Sequence, residues 1–161
     1  MCIIVDKNIF SGVFDPNSPD IEFKPVHNWI FSGNGKVVLG GAKYREELQQ
    51  SQKYHKILIE LGRMRRTIEV PDDEVDLIEA RIKQLIPHSD FDDPHLIAIV
   101  IASGCRLICT RDSRCHKFVK IKEIYPKGFG VPKFYSGVKH RHLLSSKELR
   151  SLCKICKANH N

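Results

Sequence analysis

Four acidic positions stand where their side chains could act together. Asp6 follows the apolar run Cys2-Ile3-Ile4-Val5, and Asp112 follows Arg106-Leu107-Ile108-Cys109-Thr110 and Arg111. Asp93 precedes Pro94 at the head of an apolar helix, and Glu46 or Glu47 lies early in the helix after Lys36-Val37-Val38-Leu39. Carboxylates gathered at one edge of a sheet repel one another and raise one another's pKa. A hard divalent cation relieves that repulsion, because Mg²⁺ and Mn²⁺ prefer oxygen ligands. An ion so held can activate water and stabilise charge on a phosphoryl oxygen. No Ser, Cys or His nucleophile with a matched base is visible, so the ion would have to activate the water. Each acid also has a plainer role: Asp93 as a helix cap, Asp6 and Asp112 as turn residues, and Glu47 as a helix residue paired with Lys43 or Ser51. Four such coincidences at one predicted crevice are less economical than one site.

Helical phase separates the two glutamates. With Tyr44 at zero and about 100° per residue, Leu48 falls near 40°, Glu47 near −60° and Glu46 near 200°. Glu47 flanks the inward face and is the site candidate.

The elements that must carry these residues alternate. Cys2–Val5 is a buried strand by length and composition. Ile9–Phe14 starts a helix, 15–20 is a turn-rich loop, and 25–31 forms a short helix before the strand 36–39. Tyr44, Leu48, Ser51, His55, Leu58 and Gly62 define one helix face over about 43–61, and 66–70 forms a short strand. Asp72 caps a helix carrying Val75, Ile78, Ile82 and Leu85. Asp93-Pro94 opens a helix apolar on every side, ended by Ser103-Gly104. Residues 106–110 form the next strand, 119–124 a further one, and Ser145-x-x-Glu148 is a capping box for the last helix. Strands alternating with helices imply an α/β fold with a mainly parallel sheet, whose ligands bind beyond the carboxyl ends of the strands. Asp6 and Asp112 both fall there.

Length and charge narrow the class. The 161 residues suit one domain, and 42% hydrophobic with 28% charged residues excludes a disordered chain. No apolar run approaches the roughly 20 residues needed to cross a bilayer, so no membrane association is expected. The net charge of +7 is uneven: residues 105–161 hold 14 Lys and Arg against three acids, and residues 1–104 hold 12 against 16. That favours a polyanionic partner. Met1 opens directly into Cys2-Ile3-Ile4-Val5-Asp6 without a leader, which predicts a cytoplasmic protein whose six cysteines are free thiols. Cys153-x-x-Cys156 has no second pair at zinc spacing and reads as buried small hydrophobes on a helix stripe with Leu149 and Leu152. Cys105, Cys109, Cys115 and His116 make a poor metal cluster, because strand residues alternate in direction.

Ile3-Ile4-Val5-Asp6, the pair Glu47-Leu48, Asp93 followed by Leu96-Ile97-Ala98 and Ala102-Ser103-Gly104, and Leu107-Ile108-Cys109-Thr110-Arg111-Asp112 together resemble the PIN domain. The likeness runs from Met1 to about Ile124. It implies a three-layer α/β/α sandwich around a parallel sheet, as one domain over 1–161 with a basic segment from about 125. It also implies a Mg²⁺- or Mn²⁺-dependent ribonuclease, a class that includes bacterial toxins. By position, Asp6, Asp93 and Asp112 match the family's metal-binding acids, and Glu47 its further catalytic acid. Thr110 matches the hydroxyl residue before the last aspartate, and Asn8 the small polar residue after the first. Many members carry another acid after the last aspartate. Ser113-Arg114-Cys115-His116 supplies none, which leaves one metal or two open and makes Asp92 a partial substitute.

Two functions are therefore expected: an endoribonuclease of toxin or defence type, or a catalytically weak PIN-like module that binds RNA or protein. Arg111, Arg114, Lys133, Lys139 and Arg141, interleaved with Tyr125, Phe129, Phe134 and Tyr135, form the candidate grip on single-stranded RNA. The plainer reading puts those aromatics in the core. The resemblance further implies an inhibitory protein partner and a homodimer.

Overall fold

The computed structural model describes residues 1–15, 17, 20–153 and 155. Strand β1 (Cys2–Val5) is buried at every position, as a central parallel strand covered on both faces must be. It pairs in parallel with β2 (Lys36–Leu39), Ile3 opposite Val37. On its other side lies β4 (Leu107–Cys109), Val5 opposite Cys109. β3 (Thr67–Glu69) pairs outside β2, and β5 (Lys133–Tyr135) outside β4, so the order is β3-β2-β1-β4-β5 and every pairing is parallel. The chain winds outward from β1 to β3 and then returns to the other side of β1 with β4. The strand order reverses between β1 and β4, and a ligand crevice opens at the carboxyl ends beside such a reversal. Helices flank the sheet, giving the expected α/β architecture.

Helices α1 (Phe10–Phe14) and α2 (Lys24–Phe31) follow β1, and α3 (Ala42–Gln49) and α4 (Gln52–Arg63) follow β2. α5 (Asp72–Leu85) packs on α6 (Pro94–Ser103), which contacts β1 and β2. α6 is buried along almost its whole length, including His95 and Leu96 to Val100, and it ends at Gly104 in the left-handed conformation, φ 66°. The α3 start is held from α5: Asp72 Oδ1 accepts the Gly41 N–H at 2.8 Å and Asp76 Oδ1 the Ala42 N–H at 2.8 Å. Gly41 has φ +86°, and a Cβ there would lie 2.6 Å from Val75 Cγ1, so the turn into α3 requires glycine.

The structure departs from the sequence reading in several places. The helix expected over 43–61 breaks at Ser51, whose backbone is extended. Between Leu48 and Tyr54 the run Gln49-Gln50-Ser51-Gln52-Lys53 offers no buried anchor to carry one helix through. Asp72 does not cap its own helix; Pro71 precedes α5 and the Asp72 carboxylate is used by Gly41 and Arg45. Residues 119–124 form no strand. They fold into 3₁₀ turns, Phe118–Lys120 and Lys122–Ile124, that bury Phe118, Val119 and Ile124, and the fifth strand is Lys133–Tyr135. Only half of the last capping box is made, Glu148 N–H to Ser145 Oγ at 3.5 Å, because the Glu148 side chain pairs with Lys133. α7 (Ser146–Leu152) stops before Cys153, which is buried and bridges to Cys105 through the backbone; Cys156 lies outside the described residues. Cys2 is disulfide-bonded, against the expectation of free thiols, whereas Cys105, Cys109 and Cys115 are free as expected. The fold returns Cys153 to the neighbourhood of the Met1 amino group, a proximity that sequence spacing does not reveal. Among the described residues, no helix is long and apolar enough to cross a membrane.

Candidate functional site

Asp6 and Thr110 leave neighbouring strands at the reversal and meet there, both almost fully buried. Asp6 Oδ2 accepts the Thr110 hydroxyl at 2.5 Å, and its Oδ1 accepts the Asn8 N–H at 3.0 Å. Thr110 Oγ1 in turn accepts the Asp112 N–H at 2.9 Å, so one hydroxyl ties the ends of β1 and β4 to the loop carrying the second aspartate. Burial pushes the Asp6 carboxyl up, and the Thr110 and Asn8 hydrogen bonds offset this only in part.

Glu47 and His95 enter from the helices. In α3 Tyr44 is buried and donates its hydroxyl to Val5 O at 2.6 Å, which fixes the helix phase against β1. Glu46 then points outward to Lys43 at 3.2 Å, and Glu47 points inward to His95 Nε2 at 3.4 Å. Burial raises the Glu47 carboxyl, but the hydrogen bond and charge of His95, with Lys7 and Lys43, outweigh it and hold the group below its usual range. His95 is 2% exposed, in the first turn of α6. Sequence reasoning passed over this residue. Its signal was a titratable side chain two positions after Asp93 in a helix otherwise apolar on every side.

Asp93 sits at the N-cap position of α6, yet its side chain accepts no capping hydrogen bond. Its pKa is raised from 3.8 to about 6, first by burial and then by the charges of Asp6, Glu47 and Asp112, with His95 opposing. That dependence places all four acids within electrostatic reach of one another. Asp112 carries its own cation: Arg114 grips it through Nε at 2.9 Å and Nη2 at 2.6 Å and reaches Asp92 through Nη1 at 2.9 Å. The fork holds the Asp112 carboxyl below its usual range.

The remaining candidates are scattered. Asn8 is exposed beside Asp6, and Arg111 is ion-paired with Asp20 over the Phe23 ring. Lys139 and Arg141 are exposed on the 3₁₀ segment Val138–Leu144 that follows β5. Lys133 lies opposite Leu107 at the amino end of its strand, away from the acids, and pairs with Glu148 at 3.0 Å. Tyr125 and Tyr135 are buried in the core and offer no face to a base.

Asp6, Glu47, Asp93 and Asp112 form a donor set of hard oxygens whose mutual repulsion a divalent cation would relieve, so the residue types fit Mg²⁺ or Mn²⁺. Among the described residues, no trio of His, Cys, Asp or Glu is arranged as it stands to hold an ion. Glu47 faces His95 and Asp112 faces Arg114, so these two side chains would have to turn.

The class defined by fold and site is a parallel α/β protein with an acidic cluster at the strand reversal. No family model matches the chain, and no curated protein matches it. A solved structure that does match is the crystal structure of VapBC2 from Rickettsia felis bound to a DNA fragment from their promoter, with 12% identity and a TM-score of 0.45 over 84% of this chain and 100% of that one.

Proposed function

We propose that the chain is a metal-dependent endoribonuclease, a PIN-like hydrolase of toxin or defence type. The observation that carries this reading is Asp93, a carboxylate raised to about 6 by burial and by three other acids at the crevice of a parallel sheet. A scaffold has no need to tolerate that repulsion, and the PIN-like spacing of the acids points the same way. Asp6, Asp93 and Asp112 would hold Mg²⁺ or Mn²⁺, with Glu47 as a fourth acid. Bound there, the ion would supply Lewis-acid polarisation of a phosphate oxygen and a lowered pKa for water. Thr110 fixes the Asp6 carboxylate, His95 orients Glu47, and Lys139 and Arg141 offer positive charge to the RNA backbone. An inhibitory protein partner and a homodimer belong to the same reading.

The second reading, a PIN-like RNA- or protein-binding module of weak activity, draws support from the Asp112–Arg114 fork, which occupies one of the acids. Labelled single-stranded RNA incubated with the protein in Mn²⁺ or in EDTA separates the two. Cleavage in Mn²⁺ that Asp6→Asn abolishes is expected. RNA left whole in every metal, with wild type and variant alike, gives the second reading.

A further inference from the structure

Beside the acid cluster lies a pocket of about 340 Å³, lined among others by Asn8, Ser11, Asp15, Asp20, Phe23 and Arg111. It shares a wall with the site. Asn8 is two residues past Asp6 and gives that carboxylate its N–H, and Arg111 stands between Thr110 and Asp112. Whatever fills the pocket therefore lies next to whatever meets the acids.

The lining selects the kind of group that can enter. Asp15 is ion-paired with Lys53 at 2.9 Å and Asp20 with Arg111, so the lining carries no net charge to draw in a phosphate, and its carboxylate oxygens suit an uncharged occupant rich in donors. The Arg111 guanidinium lies 4.9 Å from the Phe23 ring centroid, and its side chain is 55% exposed, leaving an outer face to stack on a planar ring. Asp20 already accepts the Glu22 N–H on Oδ1 at 2.9 Å and Arg111 on Oδ2. An ionised carboxylate has about four acceptor sites, so a further donor pair can be met. Guanine presents N1–H and the N2 amino group side by side, matching the two oxygens of one carboxylate. Adenine and cytosine offer one amino group beside a ring acceptor. Uracil offers one N–H between two carbonyls, which a carboxylate repels.

We propose that this pocket is a nucleobase subsite adjoining the acid cluster that prefers guanine, with Arg111 stacked on the base and Asp20 reading its donor edge. Its place next to a cleaved phosphodiester rests on the endoribonuclease reading above, but its base preference can be measured without cleavage.

The test is equilibrium binding of GMP, IMP, AMP, CMP and UMP to the whole chain in EDTA, by calorimetry or by chemical-shift titration. GMP is expected to bind about tenfold or more tighter than UMP, the low end of what a bidentate base contact contributes. IMP, which keeps N1–H but lacks the amino group, should fall between them. Asp20→Asn should erase the preference, since an amide offers one acceptor and a mismatched donor, and Arg111→Ala should weaken all five ligands. Equal affinity for the five nucleotides, or a GMP preference that survives Asp20→Asn, overturns the proposal. A GMP preference lost in Asp20→Asn, together with RNA left whole in Mn²⁺, upholds the pocket and removes the nuclease reading instead. Cleavage in Mn²⁺ together with equal affinity for the five nucleotides does the reverse.

Discussion

Asp93 allows a sharp distinction between a helix cap and a member of a repelling cluster. Its rise from 3.8 to about 6 corresponds to about 3 kcal/mol at roughly 1.36 kcal/mol per pH unit, and partial exposure of the carboxyl cuts that to about 1–2 kcal/mol. Between pH 3.8 and about 6 the folded chain holds more protons than the unfolded chain at this position, so stability falls as pH rises through that window. Removing the charge should recover what is lost. In urea unfolding with EDTA at pH 7.5, Asp93→Asn is expected to be more stable than wild type by about 1–2 kcal/mol, with the gap closing toward pH 4. A capping role predicts otherwise: Asn caps as well as Asp, so Asp93→Asn would be neutral, and Asp93→Ala would cost about 1 kcal/mol. An Asp93→Asn variant no more stable than wild type at pH 7.5, or a gap that persists at pH 4, refutes the repulsion argument.

Other consequences follow from the same contacts. Thr110→Val strands Asp6 Oδ2 and the Asp112 N–H and should cost about 2–3 kcal/mol, with Thr110→Ser largely sparing it, read from urea midpoints. His95→Ala removes the partner that holds the Glu47 carboxyl low, so its pKa should rise in a ¹³C-carboxyl NMR titration; a Glu47 titration identical to wild type would deny the pairing. Charge reversal at Lys139 and Arg141 should lower RNA affinity and flatten its salt dependence by about 0.7 in log–log slope per lost phosphate contact, whereas Lys133→Glu, at the amino end of β5 where Lys133 is paired with Glu148, should leave both unchanged.

The sequence made the central strands and α6 legible because burial leaves a direct trace. Continuous apolar runs stopped by a polar residue mark β1 and β4, and Asp93-Pro94 marks the start of a helix apolar on all sides. The same runs put Asp6 and Asp112 just past their strand ends. What escaped was set by tertiary contact. β5 has three residues, only one of them fully buried, and a stronger apolar run at 118–124 competes with it in sequence while folding into 3₁₀ turns. The α3–α4 break follows from where Leu48 and Tyr54 find partners, which periodicity cannot see. His95 escaped because its partner Glu47 lies 48 positions away in the chain, and the pairing exists only once α3 and α6 are packed.

The distribution of partners among the four acids explains why the electrostatic cost gathers on one of them. Asp6 has the Thr110 hydroxyl and the Asn8 N–H, Glu47 has His95, and Asp112 has the Arg114 fork. Among the described residues, no hydrogen bond reaches the Asp93 side chain, and it alone of the four is lifted to about 6. Each dedicated donor stabilises one ionised neighbour, and every ionised neighbour adds to the field at Asp93. The donors thus hold Glu47 and Asp112 low, offset the rise at Asp6 only in part, and leave Asp93 to bear the larger shift. By linkage, a cation that needs Asp93 ionised binds more weakly as pH falls below about 6, while one that met only Asp112 would show no such dependence. Loss of Mn²⁺ affinity through that window, absent in Asp93→Asn, would therefore identify Asp93 as the acid on which cation binding turns.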